Sequence, residues 1–164
     1  MLDPSILDQA ISVLAACRAR GLMLATAESC TGGLIAAALT AIAGSSDVVD
    51  RGFVTYSNAA KTEMLGVPER LIAAEGAVSA PVARAMAAGA LDRSRAAIAV
   101  AVTGVAGPGG GTEAKPVGLV WFGLAVLGGE VRSESLVFAG DRAAVRAATV
   151  SHALALIAVA ADGG

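Results

Sequence analysis

The chain has 164 residues, 55% of them hydrophobic and 16% charged, and a formal net charge of −2. That length buries one sizeable core, the low charge excludes a disordered chain, and the slightly acidic balance excludes non-specific nucleic-acid binding, which needs a basic surface. Two cysteines, Cys17 and Cys30, exclude a disulfide-stapled secreted scaffold.

Asp3 and Pro4 open a first helix with an apolar stripe of Ile6, Leu7, Ala10, Ile11 and Leu14, closed by Gly21. Met1 to Pro4 lacks the basic start of a leader, and apolar runs such as Ala153–Ala161 fall short of a bilayer's thickness. The expectation is a cytoplasmic protein without membrane contact. Leu22–Ala27 reads as a buried strand, Thr31–Ile42 as a second helix stopped by Gly44, and Gly52–Ser57 as a second strand. Asn58 is expected to cap a short helix that Gly66 closes. Pro68–Ala74 reads as a helical turn. Ser79 with Pro81 starts a helix to Arg93. Ala96–Thr103 reads as a central strand and Gly104–Pro116 as a glycine-rich loop. Val117–Leu127 and Glu130–Phe138 read as a hairpin turning at Gly128-Gly129, before a last helix from the cap Asp141 to Ala160. Alternating helices and strands plus one C-terminal hairpin predict an α/β fold: one domain over residues 1–164, a three-layer α/β/α sandwich around a mixed sheet.

Ser29 is the first candidate for chemistry. It lies on the turn between a strand and a helix, where backbone N–H groups lack intrahelical partners. Gly32 and Gly33 let a ligand approach that backbone closely. A hydroxyl beside an anion site suits acyl transfer, although Ser29 alone also fits a plain helix cap. Cys30 is a weaker nucleophile candidate, because its side chain should point away from that of Ser29, into the core.

Ser29 needs a base. The only histidine, His152, lies deep in the last helix and reads as a packing or surface residue rather than a triad member. Lys61, one turn into the helix after the second strand, can act as the base if it is desolvated and neutral. It also fits an ordinary solvated helix lysine. If the strands leading to Ser29 and Tyr56 run parallel, the side chains of Ser29, Tyr56 and Lys61 converge. Glu28 is expected to orient Lys61 or a substrate hydroxyl, or to satisfy nearby N–H groups.

The loop Thr103–Thr112 contains Gly109-x-Gly111-x-x-Ala114, formally a dinucleotide fingerprint, but Lys115-Pro116 forbids the helix that fingerprint requires. Thr103-Gly104, at the end of a strand, is the better binding candidate. Arg142 and Arg146 share a helix face, so one guanidinium can meet a phosphate or carboxylate, or both can be solvated. No metal-ligand spacing is evident.

In order along the chain, the blocks Thr26–Gly33 (TAESCTGG), Ala43–Ser46 (AGSS), Arg51–Lys61 (RGFVTYSNAAK), Gly76–Ser79 (GAVS), Thr103–Pro108 (TGVAGP), Lys115–Gly118 (KPVG) and Gly140–Arg146 (GDRAAVR) resemble the CinA C-terminal domain family. The resemblance implies a nicotinamide-nucleotide amidase that converts nicotinamide mononucleotide to nicotinate mononucleotide and ammonia, within pyridine-nucleotide salvage. It puts the nucleophile on Ser29 and its partners on Lys61 and Tyr56. The expected substrate contacts are Thr26, Glu28, Cys30, Thr31, Gly32, Gly33, Thr103, Gly104, Gly107 and Arg142. It further implies no metal, no cofactor, a small-molecule nucleotide as the partner, and a homodimer. The alternatives are a non-catalytic nucleotide-binding module and an amidase for another carboxamide.

Overall fold

The computed structural model describes residues 2–164. Its elements are α1 (Pro4–Ala19), β1 (Leu24–Glu28), α2 (Leu34–Thr40), β2 (Val49–Val54), α3 (Asn58–Leu65), α4 (Glu69–Glu75), α5 (Ala80–Asp92), β3 (Ile98–Gly104), β4 (Leu119–Val126), β5 (Arg132–Val137) and α6 (Arg142–Ala161). The described residues form a five-stranded mixed sheet in the order β2-β1-β3-β4-β5. β1 pairs in parallel with β2 and β3, while β4 and β5 add as the expected antiparallel hairpin.

Side chains alternate between the faces of a strand, and here the alternation sorts them by size. Leu24, Ile98, Val100, Val102, Val120, Phe122 and Leu124 face a core shared with α1, α2 and α6. Ala25, Ala27, Ala99, Ala101 and Ala125 face the opposite core, filled from α3, α4 and α5. The alanine face lets α5 approach its strands closely. A Cβ on Gly123 in β4 would lie 2.1 Å from the Ala83 carbonyl oxygen of α5, so no larger residue fits there. On the other face α6 buries Val145, Val150, Ala153, Leu154 and Ile157. By length and composition alone α6 is apolar enough to cross a membrane; here its apolar stripe is used against α1 and the sheet.

This topology sets up the site. From β1 the chain passes through α2 to β2 on one side, and β3 returns to the other side of β1 after α3–α5 on the opposite face. The carboxyl end of β1 is therefore where the connections diverge, and such a point opens a crevice beyond the strand ends. Ser29, Thr55 and Gly104 all lie at that edge. The Ser29 N–H donates to the Val102 carbonyl at 3.0 Å, and the Thr55 N–H to the Glu28 carbonyl at 2.8 Å.

Among the boundaries that differ from the sequence reading, four lie around the site. β1 starts two residues later than Leu22–Ala27 and ends one residue later. β2 starts at Val49 and stops before Tyr56, because Arg51 and Gly52, which look like breakers, pair with β1 at an edge. A Cβ at Gly52 would lie 2.8 Å from Thr26 Oγ1. α2 starts at Leu34 rather than Thr31, since Gly32 and Gly33 take φ of 58° and 101° and hold the chain out of the helix for one more turn. Ser57, not Asn58, caps α3, its hydroxyl accepting from the Ala60 N–H at 3.0 Å.

Candidate active site

The period-2 alternation of β1 carries into the turn. Glu28 continues the face toward α2, and Ser29 the face toward α3. Lys61 is 1% exposed and Ser29 9%. The Lys61 Nζ lies 3.0 Å from Ser29 Oγ, 2.9 Å from the Thr55 carbonyl oxygen and 3.4 Å from the Tyr56 carbonyl oxygen. Among the described residues no carboxylate stands within ion-pair distance of it. Burial without a counter-charge holds its pKa below the ordinary lysine value. The two carbonyls can only accept, so in the neutral amine both N–H groups turn to them and the lone pair faces the serine hydroxyl.

Glu28, 1% exposed, accepts from the Thr31 hydroxyl at 2.6 Å, the Ile35 N–H at 2.8 Å and the Ala36 N–H at 3.0 Å. The Thr26 hydroxyl lies 3.4 Å away on the same carboxylate. Glu28 thus caps α2 from inside the protein, replacing the N-cap side chain that Gly33 lacks. Of the roles expected for it, this is the satisfaction of N–H groups; it makes no contact with Lys61. Thr103 is equally enclosed, its hydroxyl donating to the Ala77 carbonyl at 2.9 Å. The side chains of Thr26, Glu28, Thr31 and Thr103, expected as substrate contacts, are all bonded within the fold. Their polar atoms are used within the fold, and what they do is brace the strand ends.

Cys30 points into the larger core, where burial pushes its thiol up to about 11 and keeps it protonated at neutral pH. Its backbone differs from its side chain. Among the described residues, the N–H groups of Cys30, Thr31 and Gly33 donate to no acceptor, so the turn carries free donors next to Ser29. Gly104 is a glycine because β4 passes close by; a Cβ there would lie 2.8 Å from the Leu119 carbonyl oxygen.

The Tyr56 side chain does not converge on Lys61. Only its carbonyl does, because the residue follows Thr55 past the end of β2 and its ring turns outward, leaving it 62% exposed. Its hydroxyl accepts from Arg142 at 3.0 Å, and Arg142 also donates to the Gly107 carbonyl at 2.7 Å. Arg142 and Arg146 share the wall of a concavity of about 650 Å³ with Ala106, Pro108 and Val117. Arg146, for which the sequence offered a phosphate or carboxylate partner or a solvated face, grips the Cys30 and Thr31 carbonyls, each at 3.1 Å. The holding of Lys61 by the Thr55 carbonyl also went unread, since backbone contacts leave no mark in residue type. His152 packs edge-on against Phe122 and pairs with Glu134, away from Ser29.

The model of the CinA C-terminal domain matches residues 8–160. A CinA-like protein of Akkermansia muciniphila is 57% identical over 134 residues, 82% of this chain and 32% of that protein. The chain thus spans about a third of that relative's length. The nicotinamide-nucleotide amidohydrolase PncC of Escherichia coli K12 is 51% identical over 154 residues, 94% of this chain and 93% of that protein. The crystal structure of the competence/damage inducible protein CihA from Agrobacterium tumefaciens superposes with a TM-score of 0.95 at 50% identity, covering 99% of this chain and 98% of that one.

Proposed function

We propose that this chain, which belongs to the CinA C-terminal domain family, hydrolyses the carboxamide of nicotinamide mononucleotide to nicotinate mononucleotide and ammonia, as a step of pyridine-nucleotide salvage. The observation that carries the reading is the buried Lys61 amine, without a counter-ion, 3.0 Å from Ser29 Oγ. The name of the E. coli relative, matched across nearly its full length, supports the choice of substrate.

In this mechanism neutral Lys61 takes the proton of Ser29 as Oγ attacks the carboxamide carbon. The oxyanion is held by the free N–H groups of the Cys30–Gly33 turn, each worth about 3 kcal/mol in the transition state. Lys61 returns its proton to the nitrogen, the C–N bond breaks, and ammonia leaves. Water then attacks the acyl-serine, giving its proton to Lys61, and the carboxylate product departs as Ser29 recovers its hydrogen. The exposed ring of Tyr56, tied at its hydroxyl by Arg142, offers an electron-rich face to the pyridinium. Arg142 supplies the cation for the phosphate, in the concavity it shares with Pro108 and Val117. Thr103 is not used for this, its hydroxyl being committed to Ala77.

The test is ammonia release from nicotinamide mononucleotide. The wild-type chain should turn over, and Ser29→Ala should lose about four to six orders of magnitude in kcat while its thermal unfolding stays unchanged. No ammonia from the nucleotide, with release from another carboxamide, would transfer the reading to a different substrate. Tight nucleotide binding with no turnover of any amide would make the domain a binding module.

A further inference from the structure

We infer that Arg146 is a positioning residue: its guanidinium sets the conformation of the Ser29–Gly33 turn and so aims the backbone donors beside the nucleophile. The inference rests on the acyl-transfer reading of Ser29.

The turn is intrinsically loose. Gly32 and Gly33 have no side chains, and both sit at positive φ, where they have wide freedom in the unfolded chain. Glu28 restrains the turn from inside through the Thr31 hydroxyl and the first N–H groups of α2. Among the described residues, the only hydrogen bonds reaching Cys30, Thr31, Gly32 or Gly33 from beyond residues 28–37 come from Arg146. Its Nε–H donates to the Cys30 carbonyl and its Nη2–H to the Thr31 carbonyl, so one planar fork spans two successive peptide groups. The same Nη2 would lie 3.7 Å from a Cβ on Gly32, so the guanidinium runs along the outer surface of the turn. No carboxylate pairs with it among the described residues.

Peptide geometry turns this grip into aim. A trans peptide is planar, and its N–H points opposite its C=O. With the Cys30 carbonyl seated on Arg146, the Thr31 N–H is turned away from α6 and kept free of protein acceptors. With the Thr31 carbonyl seated there too, the Gly32 N–H is directed back to the Ser29 carbonyl, to which it donates at 3.0 Å. Arg146 also draws electron density from both carbonyls, which makes the attached N–H groups better donors. Arg142, four residues earlier, holds Gly107 and Tyr56 and has no bond to the turn. The two arginines share a helix face and divide the work, Arg142 toward ligand and loop, Arg146 toward the nucleophile.

The experiment compares Arg146→Ala and Arg146→Lys with wild type by steady-state ammonia release, by amide hydrogen exchange, and by labelling with an alkyl fluorophosphonate, in which a Ser29 Oγ–P bond forms as fluoride leaves. Arg146→Lys retains the charge but cannot span two carbonyls. In both variants kcat should fall on the order of 100-fold with KM for the nucleotide within about twofold. Labelling, which involves no nucleotide phosphate, should slow by a similar factor, and exchange at the Gly32 amide, which donates to the Ser29 carbonyl, should speed up while the strands stay protected. A rise in KM at unchanged kcat would overturn the inference and make Arg146 a ligand for the phosphate. So would unchanged exchange at the turn, or full rescue by lysine. If wild type releases no ammonia from the nucleotide, the functional reading falls by itself, and exchange with labelling still decides the role of Arg146.

Discussion

Two glycine-rich segments lie at the same edge of the sheet, and they are built differently. The Ser29–Gly33 turn is short, enclosed and gripped from both sides, by Glu28 within and Arg146 without. The segment from Gly107 to Gly111 is mostly exposed. It is held at its start by Arg142, and beyond it Lys115 donates to the Glu75 carbonyl at 2.6 Å. Gly33 needs its φ of 101°, and a Cβ there would meet Val54 at 3.4 Å, whereas a Cβ on Gly109 would meet nothing within 4 Å. Glycine in the first segment fixes a conformation. In the second segment Gly109 alone fills space that any small residue could occupy; Gly107 and Gly110 take positive φ, and a Cβ on Gly111 would lie 2.8 Å from the Val117 nitrogen. The number of glycines in a segment is therefore a poor guide to a binding loop, and what holds the glycines is a better one.

The largest effect should come from the base, which serves the turn and not the loop. Lys61→Met should lower kcat for ammonia release by at least about 10⁴-fold. Its pH signature is as diagnostic as its rate. The proposed mechanism needs the neutral amine, so in wild type kcat/KM should rise with pH through the depressed Lys61 pKa and then level, with no descending limb from this group. Stability follows the same sign. Between the folded pKa and the higher unfolded one, the unfolded chain binds more protons, so stability rises with pH across that window, and below it the cost of burying Lys61 is complete. In Lys61→Met that slope should vanish, as measured by thermal melts at a series of pH values. An identical slope in both proteins would mean that Lys61 is not the desolvated group.

An intermediate effect is expected within the turn. Gly33→Ala puts a side chain at a backbone conformation it resists, costing about 1–3 kcal/mol, and should reduce kcat about 10- to 100-fold through misplaced donors. The smallest is expected in the loop. Gly109→Ala should leave ammonia release within twofold and stability unchanged or raised by up to about 1 kcal/mol. If the two alanine variants behaved alike, the contrast between the segments would collapse.

The legible part of this architecture is the part written in side-chain periodicity. The apolar runs of β1 and β3, the helix stripes, and the order of strands and helices were readable, and on the condition that the strands leading to Ser29 and Tyr56 run parallel they brought Ser29 and Lys61 to one sheet edge. What escaped was written in the backbone. The late start of α2 follows from two left-handed glycines, which in sequence only mark flexibility. The early start of β2 depends on Gly52 lying under Thr26, a contact between strands. The outward ring of Tyr56 follows from where that strand stops, a matter of two residues. Arg146 and the Thr55 carbonyl were invisible because each acts through peptide groups, which every residue has.

The amine of Lys61 is held by carbonyls of two consecutive residues rather than by any partner side chain. Substitution cannot remove a main-chain oxygen. Mutational drift at position 56 can thus change the exposed ring while leaving the Lys61 amine seated where it is. The seat of the amine is in that sense independent of the residue types around it.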